Sequence, residues 1–347
     1  MNKITKNSLP LLFKIMGSAC NIYTIYILSR WSVDSQASIF IAFSLANMVS
    51  VFLRLGQGNL ILKDSYNNNK MFLRYENSII ISFLSWLLLA VYALLFNINF
   101  VGVLASLPLT IINLSSSLQR AKRDVIIFSI FSSFIMPVSW LVILFGYHYF
   151  INAENYVNAW IVSLYFTSLL ILIVCGFDYK SLRRTGKIIL ELKSSLFTLD
   201  FYRNLSLALI PFLTLFIIAK MQYSYVNNEL YVKYEFYFRV MSFIVFPLYA
   251  ILYKRKNISD NIIRISIVST VIIVILTLAT FIYYDSWNKV TVALFSIFTT
   301  LILFFYTVCK DGYFLNHSRV GYIYYMISSI VAFIVICYYF TYKQGLL

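Results

Sequence analysis

Apolar residues run along this chain in long blocks separated by short polar joints. A bilayer core of about 30 Å takes about 20 mostly apolar residues per helix. Eleven blocks are that long: about 9–29, 35–55, 78–96, 98–118, 125–147, 156–177, 201–220, 236–253, 262–284, 289–309 and 320–341. Blocks three and four meet at Asn97-Ile98-Asn99, which predicts a tight hairpin. Within several blocks polar residues recur at helical spacing and so share a face. Lys14, Gly17, Ser18, Asn21 and Thr24 do so in the first, and Ser44, Asn47 and Arg54 in the second. Ser106, Thr110, Asn113, Ser117 and Arg120 do so in the fourth, and Ser129, Ser132, Ser133 and Trp140 in the fifth. Polar faces avoid lipid, so these stripes predict contact with other helices or with a water-filled cavity.

Composition agrees with the pattern. Of 347 residues 61% are hydrophobic and only 12% charged, and the mean hydropathy is +0.81. Too few polar groups remain to cover a soluble globule. The expected fold class is therefore all-α: a polytopic membrane protein of about eleven transmembrane helices.

The formal charge of +15 invites a nucleic-acid reading. Its placement gives a different cause. With the N-terminus in the cytoplasm, 21 Lys and Arg fall in inner segments and 6 in outer ones, and Lys14 lies inside the first span. Every second joint is basic, as the positive-inside rule requires, so no nucleic-acid partner is expected. The longest polar stretch, 178–203, is also inner. It carries LRRTGKIILELKSSLF, whose basic side suits anionic lipid at the membrane interface. It divides the chain into an N-terminal six-helix lobe (1–177), a basic cytoplasmic amphipathic loop (178–203) and a C-terminal five-helix lobe (204–347). All outer loops are short.

The chemistry on offer is narrow. Cys20, Cys175, Cys309 and Cys337 lie in apolar runs with no C-x-x-C pair, and His148 and His317 stand apart from acids and thiols. Neither disulfides nor a metal site is expected, and no cofactor. Thr185-Gly186-Lys187 lacks the rest of a phosphate-binding loop, which argues against ATP hydrolysis. No acid lies near the middle of a span, which argues against a buried carboxylate relay. The ionisable residues in the stripes are cations. A cavity lined by cations suits a phosphate or diphosphate, which Arg and Lys bind by charge-assisted hydrogen bonds.

The first two spans and their joint resemble the N-terminus of bacterial polysaccharide and O-antigen flippases, members of the MATE-like multidrug/oligosaccharidyl-lipid/polysaccharide exporter superfamily. The resemblance rests on a basic residue near the first span, then Leu28-Ser29-Arg30, a short outer turn, and a second span running into Arg54-Leu55-Gly56. YFRVMSFIVFPLYAILYKRK, at 237–256, resembles the family's repeat of the first two spans. Trp31-Ser32 stands where the family has Leu-Gly. The resemblance implies two helix bundles around a cationic lumen. It also implies alternating access that carries an undecaprenyl-diphosphate-linked glycan across the inner membrane, beside other polysaccharide assembly proteins. Lys14 and Arg54 are the cations it implies for the diphosphate, and the stripes add Asn21, Asn47, Asn113 and Arg120 as substrate-binding candidates. On this reading the chain is a transporter and not an enzyme. The alternative is a membrane polymerase of lipid-linked repeat units, which calls for a large outer basic loop, whereas the large loop here is inner. A membrane acyltransferase would need a histidine base near the N-terminal spans, and the first, His148, ends the fifth span on the outer side.

Overall fold

The computed structural model describes residues 3–54, 57–64, 68–96, 100–151 and 156–177, with scattered single positions between 237 and 301. Among the described residues there is helix and no strand. The elements are α1 (Lys3–Trp31), α2 (Val33–Arg54), α3 (Gln57–Lys63), α4 (Asn68–Leu95), α5 (Phe100–Ala121), α6 (Val125–Ser129), α7 (Ile135–Gly146) and α8 (Tyr156–Cys175). A π-helical segment, Ile130–Phe134, joins α6 to α7, and a second, Tyr147–Ile151, comes after α7.

Among the described residues six helices are long and apolar enough to cross a membrane: Leu9–Trp31, Val33–Arg54, Lys70–Leu95, Phe100–Ala121, Val125–Ile151 and Tyr156–Cys175. They coincide with the first six predicted blocks, and the described chain is that of a polytopic, all-helical membrane protein. The Asn97–Asn99 hairpin, the 178–203 loop and blocks seven to eleven lie outside the described residues.

Two boundaries differ from the pattern. Helix α4 starts at Asn68, ten residues before the predicted block, because Met71, Phe72 and Tyr75 extend its apolar face beneath the charged residues. The short α3 has too few residues to register as a block. It is fixed by packing against α4 and α5. Asp64, buried just after it, takes ion pairs from Arg74 and, at 3.5 Å, from Lys70 of α4.

Helix α5 is the centre of the bundle: most of it is buried, and α2, α3, α4, α6 and α8 all pack on it. Helix α1 packs on the fifth span, and α7 on α8. The core runs through Phe40, Tyr75, Leu114, Phe131, Trp140 and Trp160. The outward faces of α4 and α8, such as Leu88, Leu95, Ile173 and Val174, are exposed apolar surface suited to lipid.

The turn between α5 and α6 is tightly bonded. Asp124 N–H donates to Gln119 O and Arg123 N–H to Arg120 O, both at 3.0 Å, and Arg123 takes φ 58°. This is a Schellman end with arginine where glycine is usual. Asp124 then caps α6, its carboxylate accepting from Ile127 N–H at 3.1 Å. Arg120 and Phe128 are thereby held on either side of one rigid turn.

Candidate functional site

The six candidate residues come from three helices, α1, α2 and α5. Their local chemistry sorts them. On α5 the stripe hydroxyls are satisfied within their own helix: Ser106 donates to Val103 O at 2.7 Å, Thr110 to Ser106 O at 2.7 Å and Ser117 to Asn113 O at 2.9 Å. Thr110 also reaches Ser50 O of α2 at 3.4 Å. These residues pack helices together, as small polar side chains do inside membranes. Asn47 turns its amide to Phe43 O at 2.9 Å, and Arg54 gives its Nε–H to Ser50 O at 3.1 Å, so both are spent partly on their own helix. Asn21 and Asn113 are half-buried.

Lys14 and Arg120 are brought together. Both are buried, from α1 and from the end of α5, and they act on each other as like charges. The meeting point is the ring of Phe128, itself buried on α6. Lys14 Nζ lies 5.3 Å from its centroid and Arg120 Cζ 5.8 Å. Both distances fall within the range of a cation–π contact. Arg120 sits in the last turn of α5, where the helix dipole favours a cation. Nothing in the sequence VIIFS distinguishes Phe128 from a core residue. Its signal is only its distance from Arg120 across a three-residue turn.

A close approach brings Lys14 to this place. Three residues on, Gly17 packs against the π-helical segment so tightly that a Cβ there would lie 1.9 Å from Ser133 O. Ser133 is four residues before Pro137, whose ring nitrogen cannot donate to that carbonyl. The wider π turn accommodates the proline, with Ile135 N–H bonding Ile130 O instead. The extra residue also breaks the predicted fifth-span stripe: Ser129 and Trp140 are buried while Ser132 is exposed.

At the opposite end of the bundle the chemistry is aromatic. Trp31 stacks on His148 with centroids 3.7 Å apart, and Tyr156 Oη lies 3.0 Å from His148 Nδ1. Among the described residues no group of three or more His, Cys, Asp or Glu could hold a metal ion.

No family model matches the chain, and no curated protein does. One solved structure, the "outward-facing conformation of a multidrug resistance MATE family transporter of the MOP superfamily", is similar over 99% of this chain and 96% of its own, at 14% identity and a TM-score of 0.45. At that identity and score, nothing of that protein's activity passes to this chain.

Proposed function

We propose that this chain is a membrane transporter that carries an anionic, lipid-linked glycan, of the undecaprenyl-diphosphate kind, across the bacterial inner membrane. The carrying observation is the convergence of Lys14 and Arg120, two buried cations from separate spans, on one ring. Two buried cations that meet at one ring can offer an anion charge-assisted hydrogen bonds from two separate spans. A diphosphate matches the two cations in charge, and a polyprenyl tail would remain in lipid. Alternating access then moves the glycan, with the N-terminus cytoplasmic and the cations near the inner leaflet. Anionic lipid and other polysaccharide assembly proteins are the expected partners.

The test is deletion of the gene followed by extraction of lipid-linked glycans. Complete single repeat units confined to the inner leaflet are expected. Units already outside but unpolymerised would reassign the chain as a polymerase. Lys14→Ala and Arg120→Ala should each reduce export at unchanged protein level, and Arg54→Ala less, because Arg54 is bonded to its own helix.

A further inference from the structure

We infer that Phe128 is the positioning residue of this anion site: its ring holds Lys14 and Arg120 converged before the anion arrives. The inference rests on the anion site proposed above and adds a residue that no stripe or motif marks.

Three observations carry it. The two cations act on each other as like charges, so a ring that attracts both favours their staying together. The Phe128 ring is within about 6 Å of both charged groups, the range at which an aromatic quadrupole attracts a cation. The ring is also fixed in place. It stands on five-residue α6, which is capped by Asp124 and tied to Arg120 through the Schellman turn, and it is buried against α1 and α5. A ring so placed keeps the site formed, which lowers the ordering cost of binding. Leucine at 128 would fill comparable space but supply no quadrupole.

The test uses full-length protein in detergent. Inorganic pyrophosphate and farnesyl diphosphate are the probes, and titration calorimetry is the readout. Phenylalanine analogues bearing one, two and three ring fluorines are incorporated at position 128. Fluorination drains the ring quadrupole and hardly alters its shape. The expected result is a stepwise fall in affinity for both probes, reaching about tenfold at three fluorines, with the melting temperature changed far less. Phe128→Trp should retain binding and Phe128→Leu should lose it. A flat fluorine series with wild-type affinity throughout would overturn the role of Phe128 and leave the anion site standing. A rising series would overturn it too, by showing that the ring competes with the anion. Wild-type protein that binds neither probe would overturn the anion site and the role of Phe128 with it. Farnesyl diphosphate is expected to bind more tightly than pyrophosphate; equal binding would overturn the lipid-borne identity of the ligand.

Discussion

Whether a side chain fits at 17 is decided by atoms from another span. Ser133 O, Ser133 C and Phe134 Cα would lie 1.9, 2.7 and 2.8 Å from a Cβ at Gly17, and all three are backbone. No rotamer change relieves that collision, so Gly17→Ala should cost about 1–3 kcal/mol or more. It should lower the detergent melting temperature and separate Lys14 from Phe128. Gly146 is the control: nothing lies within 4 Å of its Cβ position. Gly146→Ala should be neutral or stabilise by up to about 1 kcal/mol, since alanine restricts the unfolded chain and suits a helix. Arg123 poses the converse case. It holds φ 58°, where a side chain is strained by about 1–2 kcal/mol. Arg123→Gly should therefore raise the melting temperature, and Arg123→Val should lower it.

The fifth span is where element and sequence pattern part. A stripe of Ser129, Ser132, Ser133 and Trp140 assumes one unbroken helix of 3.6 residues per turn. Pro137 makes that costly, because its ring would press on the Ser133 carbonyl. The chain inserts the wider segment Ile130–Phe134 instead, which shifts the phase and leaves Ser132 exposed. Periodicity alone cannot reveal such a segment, because Pro137 can bend a helix in several ways and polar spacing does not say which one the chain takes. Such a bulge is one residue too many for a regular helix. In a Pro137→Ala background, which removes the clash with the Ser133 carbonyl, deleting Ser132 should thus nearly preserve the mutual orientation of α6 and α7, whereas deleting Val142 from regular α7 should rotate the C-terminal end of that helix by about 100°. Fluorescence-detected size exclusion should show a monodisperse peak for the Ser132 deletion and aggregate for the Val142 deletion. Equal loss in both would show that the π-helical segment is not a local insertion.

Across the described bundle, a group of basic residues and a cluster of stacked aromatics lie at opposite ends. Arg54, Lys70, Arg74, Arg120, Lys122 and Arg123 gather at one end, and Trp31, His148, Tyr149 and Tyr156 at the other. The six spans were legible because an apolar block of bilayer length has few other uses. Lys14 and Arg120 were legible as buried cations because polar residues at helical spacing must turn away from lipid. Phe128 was not, nor was α3: one is an aromatic among apolar neighbours, the other a helix made by tertiary contact. The two ends bear on function through their leaflets. Lys14 and Arg120 lie toward the basic end, so capture from the inner leaflet requires that end to face the cytoplasm. Lys122 and Tyr149 are exposed at the two ends and serve as reporters. With the four native cysteines replaced, a single cysteine at 149 should react with a membrane-impermeant maleimide in spheroplasts with an intact inner membrane, and one at 122 only after permeabilisation. The reverse pattern would place the cation pair at the outer leaflet and overturn capture of the glycan from the cytoplasmic side.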